Sequence, residues 1–376
     1  MNAQADPAPD FKLLYALLLP VILIPAVVIT VLVIRGDQLE RHYNRGLSAA
    51  ASGDFAAAQY NFEKAGAMGH AESDCKLVTL YRTGILTAND VNEEILRLLT
   101  RAALNGSLEA EFELGKLAEN GPEADNKLAA LHYRRAALGG HVQGLLAMGR
   151  LHEHGLGVNQ SSLLAKEFYL KAAENKAPEA YVALGLLYIN KNKEENDYRQ
   201  AVKYLELAAR ANVPRAFTAL GYINEQLYPD DAQKQIKTGK YYKRAAELRD
   251  PEGTVNYADY LLQHGLNQEA VKYYRAAAEK LNFPLAYHRL GMFYYQQPEA
   301  DYARARRYFE HSASAGNSSS WINLGIMAEL GQGSAIDLKR AMECYQMAAK
   351  LGHADAANRI KNLQDTPAYK PAPEKN

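Results

Sequence analysis

The chain has 376 residues, 48% hydrophobic and 23% charged, which is enough apolar material for one large or several small cores and too much for a disordered polymer. Lys plus Arg and Asp plus Glu both number 43, so the basic excess that nucleic-acid binders use against phosphates is missing, and DNA or RNA is not an expected partner. The two cysteines, Cys75 and Cys344, stand far apart in sequence and are not expected to form a disulfide.

The chain opens with a short polar tail, residues 1–12, followed by the uncharged run LLYALLLPVILIPAVVITVLVI from Leu13 to Ile34. At 1.5 Å per residue this run is long enough to cross a hydrocarbon core of roughly 30 Å, and a single transmembrane helix is expected over 13–34. The competing reading is a cleaved signal peptide, against which stand Asp6 and Asp10 in the lead and the lack of a small-x-small pair before Arg35. Pro20 and Pro25 remove backbone donors inside the run and either kink it or are simply tolerated there. Arg35, Arg41 and Arg45 follow the run and only Lys12 precedes it, which slightly favours a cytoplasmic C-terminal part over a periplasmic one.

Beyond the run, the chain repeats. Ala-Ala pairs begin at Ala102, Ala136, Ala172, Ala208, Ala245, Ala277 and Ala348, with Ser312-Ala313 filling the gap, at spacings of 32 to 37 residues. A second marker keeps the same period out of phase: Leu114-Gly115, Met148-Gly149, Leu184-Gly185, Leu220-Gly221, Leu290-Gly291 and Leu324-Gly325. Each period reads as two helices, a first or A helix such as Ala180 to Tyr188 and a second or B helix such as Ala201 to Arg210, with apolar residues at i, i+3, i+4 and i+7. Small residues at a helix crossing let two backbones approach closely, which accounts for both markers. The turns Gly155-Leu156-Gly157-Val158 and Gly331-Gln332-Gly333-Ser334 carry glycines suited to a left-handed helix end; no strand precedes them and no Lys-Ser/Thr follows, so they are not phosphate loops.

The pattern resembles the Sel1-like repeat family, a branch of the tetratricopeptide-like solenoids, from about Tyr43 to Leu363. The fullest copy, LLAMGRLHEHGLGVNQSSLLAKEFYLKAAENK (Leu145 to Lys176), holds the Leu-Gly-like pair, the G-x-G-V turn and the Ala-Ala pair together. The resemblance implies an all-α fold: an α-solenoid, or superhelix, of about nine helix-turn-helix units over 43–363 with capping ends. Several units depart from it. Tyr43 to Gly69 is short, Ala71 to Gly106 lacks the Leu-Gly pair, and the unit starting near Pro251 has Tyr257-Ala258 in its place with the abbreviated turn His264-Gly265-Leu266-Asn267. Polar expanded turns are expected at Lys191 to Asp197 and Leu227 to Lys237, and such turns are candidate contacts. Ala354 to Leu363 reads as a closing helix and 364–376 as a disordered Pro-rich tail.

Catalytic patterns do not emerge. His152 and His154 alternate on one helix and diverge by about 200°, so they cannot share a metal, and His152 fills the slot held by Tyr188 and Tyr294 in their units. Cys75 and Cys344 read as small core residues. No enzymatic activity, cofactor or metal is expected. Binding is the default for the A-helix face of a solenoid. Carrying over the groove-facing positions of the tetratricopeptide pattern by the Leu-Gly marker, the resemblance implies partner contacts at Lys116, Glu119, Arg150, Glu153, Leu186, Ile189, Tyr222, Glu225, Asp259, Leu262, His288, Met292, Tyr295, Ile326 and Glu329. The expected function is that of a membrane-anchored scaffold binding a protein or peptide partner at the bacterial envelope, in the inner membrane. The alternative is a glycan-contacting subunit of an envelope polysaccharide or secretion machine, suggested by 25 tyrosines.

Overall fold

The structure is a computed structural model that describes residues 35–190 and 194–366. The expected transmembrane segment 13–34, the tail 1–12 and nearly all of the C-terminal tail lie outside those residues. Among the described residues no helix is long and apolar enough to cross a membrane.

The described chain is an all-helical solenoid built from helix pairs, in two compact units that divide at Ala177 and Pro178. In the first, α1 (described over 35–51) pairs with α2 (Phe55–Ala67), α3 (Ala71–Arg82) with α4 (Val91–Leu104), α5 (Leu108–Asn120) with α6 (Asn126–Leu138), and α7 (Val142–His154) with α8 (Ser162–Glu174). In the second, α9 (Pro178–Ile189) pairs with α10 (Glu195–Arg210), α11 (Pro214–Leu227) with α12 (Ala232–Glu247), α13 (Pro251–Gln263) with α14 (Asn267–Arg275), α15 (Pro284–Tyr295) with α16 (Tyr302–Ser314), and α17 (Ser318–Leu330) with α18 (Leu338–Lys350). The closing helix, α19, runs Ala356–Asp365, and α14 continues into a π-helical turn, Ala276–Lys280.

Local chemistry sets these boundaries. Asp90 begins α4 by accepting from the backbone N–H of Asn92 and Glu93 at 2.9 and 3.0 Å, and Asp125, Ser161, Asp231 and Asp337 cap their helices in the same way. Proline opens α9, α11, α13 and α15, where its missing N–H costs nothing. Gly155 and Gly331 end α7 and α17 at φ +69° and +67°, the left-handed conformation expected of those turns. The expanded turns are shorter than expected: Asp197 already belongs to α10, and the Asp231 cap starts α12 at Ala232, leaving only 228–231 as turn.

Packing explains the alanine marker. The first residue of each pair, from Ala102 to Ala348 and including Ser312, is fully buried. The A helix of the next pair crosses over it with a small residue of its own: a Cβ on Gly144 would stand 2.8 Å from the Cβ of Ala136. Ala110, Ala216, Ala286 and Ser320, all fully buried, take the corresponding place in their helices.

Candidate functional site

The Leu-Gly marker sits where the A helix meets the ring of its partner B helix. A Cβ on Gly115 would come within 2.5 Å of the Tyr133 ring, and one on Gly291 equally close to Phe309; Gly149, Gly221 and Gly325 face Tyr169, Tyr242 and Tyr345 in the same way. The ring therefore lies directly against bare backbone, and a tyrosine hydroxyl, buried with it, needs an acceptor. A carboxylate one turn beyond the glycine supplies it. Tyr133 donates to Glu119, Tyr169 to Glu153 and Tyr242 to Glu225, each at 2.8 Å, and Tyr345 donates to Glu329 at 2.6 Å. Tyr274 donates to Asp259 in the pair whose marker is Tyr257-Ala258. Burial first, then the neighbouring carboxylate, raises each phenol above its ordinary value and keeps it a donor.

The expected site residues thus divide. In the first unit Lys116 is exposed and pairs with Glu113 at 2.7 Å, while Arg150 donates to Glu119 at 2.7 Å, so Lys116, Glu119, Arg150 and Glu153 are largely engaged within the unit. In the second unit His288 hydrogen-bonds the Ser320 hydroxyl at 2.8 Å, Asn323 donates to the Met292 sulfur at 3.4 Å, and Tyr295 donates to Gln332 at 2.8 Å. These three knit α15 to α17 and its following turn. Burial lowers the His288 pKa to about 4, so its ring is neutral near pH 7. Ile326 packs toward the α18–α19 core, and Leu262 is exposed apart from the rest.

Leu186, Ile189, Tyr222, Glu225 and Asp259 do come together, around two adjoining cavities on the A-helix face of the second unit. One, of about 270 Å³, is lined by Leu186, Ile189 and Asn190 of α9 and its end, by Arg215, Thr218, Ala219 and Tyr222 of α11, and by Glu252 of α13. The other, of about 350 Å³, is lined by Tyr222, Glu225, Glu252, Asn256, Asp259, Tyr260 and Gln263, by Thr238 and Tyr242 from α12, and by Arg289 of α15. Arg289 stands 3.3 Å from Asp259, whose carboxyl is pushed above its ordinary value by burial, with Tyr274 and Arg289 acting in the opposite sense. The sequence reading missed Arg215, Glu252, Asn256, Gln263 and Arg289. Glu252, Asn256, Asp259 and Gln263 are four or three residues apart, a register that puts them on one helix face.

The sequence pattern of the Sel1 repeat matches residues 41–70, 108–141, 142–176, 178–213, 220–250, 251–280, 284–317 and 322–353, well over half of the chain. A protein of Neisseria meningitidis serogroup B is 27% identical over 248 residues, covering 63% of this chain and 50% of that protein. The chain thus spans about half the length of this relative and less of others it matches. Among solved structures, a Sel1 repeat protein from Oxalobacter formigenes is 26% identical with a TM-score of 0.53, covering 81% of this chain and 89% of that one. A protective antigen of uropathogenic Escherichia coli is 24% identical with a TM-score of 0.54, covering 81% and 67%.

Proposed function

We propose that this chain, which belongs to the Sel1 repeat family, is a scaffold that holds a protein partner on the A-helix face of its second unit and keeps it at a membrane through residues 13–34. The observation that carries the reading is the pair of adjoining cavities around Tyr222, lined by side chains from successive A helices. Repeats of this family and of the tetratricopeptide class generally mediate protein–protein interaction. Binding rather than catalysis is further supported by the burial-perturbed tyrosines: each hydroxyl is spent as a donor to a Glu or Asp inside its own helix pair, including Tyr242, which lines the second cavity. The same arrangement weakens the glycan alternative, since those rings lie inside helix pairs rather than on a sugar-stacking surface.

The uncharged run 13–34 supports a place at a membrane, and the arginines after it support a cytoplasmic scaffold. The test is crosslinking of the full chain in cells, comparing the native sequence with Leu186→Asp. One protein recovered with the native chain and lost with the variant is the expected result; recovery unchanged by the variant, or no specific protein at all, refutes the reading. Protease access to the C-terminal tail in spheroplasts decides the side: protection until the inner membrane is opened is expected.

A further inference from the structure

We propose that the two cavities take one extended segment of a partner chain, carrying an apolar side chain and, about three residues away, a lysine or arginine. The inference rests on the scaffold reading and gives its partner a chemistry.

The two ends of the trough differ in kind. At the α9 end, Leu186, Ile189, Ala219 and Tyr222 give a space of about 270 Å³ an apolar portion, with Asn190, Arg215, Thr218 and Glu252 completing its lining, and an apolar side chain fits against the first four. At the α13 end, three carboxylates, Glu225, Glu252 and Asp259, converge on one space of about 350 Å³ that holds a single guanidinium, Arg289. All three raise the Tyr242 phenol, and Glu225 raises Asp259, so each is felt across that space. Arg289 and two tyrosine hydroxyls satisfy part of the set, but Glu252 makes no ion pair among the described residues. A cation entering here trades like-charge repulsion for attraction in a partly desolvated site, whereas a phosphate or an acidic peptide meets repulsion.

The cavities share Tyr222 and Glu252; the lining of the first extends to α9 and that of the second to α15. Packed helices stand roughly 8–10 Å apart, and an extended chain advances about 3.3 Å per residue, so one helix spacing corresponds to about three residues. Both anchors then lie on one short segment, in either chain direction.

The experiment is selection of dodecamer peptides from a random library on the full chain in detergent micelles, followed by fluorescence anisotropy of the winners. The expected winners carry a large apolar residue and a Lys or Arg two to four positions away. Replacing the basic residue by Glu, or using the Glu252→Lys protein, weakens binding at least tenfold; Glu252 is exposed, so the variant keeps the native melting temperature, and Glu252→Gln gives a smaller loss in the same direction. Winners without a basic residue overturn the inference. So do winners bound equally by Glu252→Lys, which would show peptide binding elsewhere and leave the scaffold reading standing. An empty selection also overturns it, and the cellular crosslinking then decides whether the scaffold reading falls with it.

Discussion

Removing the Tyr169 hydroxyl and the Glu153 carboxylate together should cost less than the two single changes summed. The hydroxyl donates to Glu153 at 2.8 Å from a ring that is 3% exposed, so this is a hydrogen bond to a charged group, of order 1.5–3 kcal/mol. Tyr169→Phe leaves Glu153 half-buried but within reach of water, and a loss of about 1.5 kcal/mol is expected. Glu153→Ile leaves a buried hydroxyl with no acceptor, which costs about 1–3 kcal/mol. The double variant removes both polar groups, as the chain already does with the apolar pair Ile189 and Leu205 in the same two places, and should lose only about 1 kcal/mol. The coupling is therefore about 1.5–3.5 kcal/mol. Native-state hydrogen exchange of the α7 and α8 amides reads it locally, which suits a solenoid that does not unfold as one block. Single losses that add to within about 0.4 kcal/mol would refute the lock.

Acid should weaken the second unit through His288. Its folded pKa of about 4 lies below its ordinary 6.5, so the unfolded chain takes up a proton the folded chain refuses; stability falls as pH drops from about 6.5 to about 4, by up to about 3 kcal/mol, and levels off below. His288→Asn, which can keep the Ser320 hydrogen bond, should flatten urea midpoints measured across that window. Gly115→Ala should lower the melting temperature despite a helix-propensity gain of about 1 kcal/mol, because overpacking against the Tyr133 ring costs about 1–3 kcal/mol. Gly36→Ala, with nothing within 4 Å of the new methyl, should not lower it. In the first unit, Asp74 is fully buried and holds the Arg101 guanidinium with both oxygens, so Asp74→Ala should cost about 3 kcal/mol in urea unfolding, with Glu63 at 2.9 Å retaining part of the arginine's pairing.

The helix pairs were legible because their period is carried by residues with only one physical use. An alanine at 0% exposure under a crossing helix, or a glycine beneath a ring, tolerates nothing larger, and the sequence shows the same residue every 32 to 37 positions. Nine pairs and a closing helix follow from that rhythm. The tyrosine lock was equally present as a signal: an aromatic three residues before the alanine, an acid four residues after the glycine. It went unread because an acid on a solenoid's A-helix face looks like a partner contact until its hydroxyl donor, some 15 residues away, is in view. The π-helical turn at Ala276–Lys280 has no such signal; an extra residue in a B helix shows only as a change of spacing that a turn could equally absorb.

The lock also decides what the binding face can be. In four pairs where the B helix presents tyrosine, the position one turn past the A-helix glycine is its acceptor, and the face acquires a carboxylate: Glu119, Glu153, Glu225, Glu329; in the pair of Tyr274 the acceptor is instead Asp259, directly after Ala258, and the position one turn on is Leu262. Wherever the B helix presents a side chain with no hydroxyl, that requirement disappears. Opposite Leu205 the position is Ile189, and opposite Phe309 it is Tyr295. One residue at each end of the trough, Glu225 at the acidic end and Ile189 at the apolar end, is consequently matched from inside to Tyr242 and Leu205 in neighbouring cores. A solenoid of this design can change what its surface recognises by a core substitution and its compensating partner, without altering the helix pitch that the small residues hold.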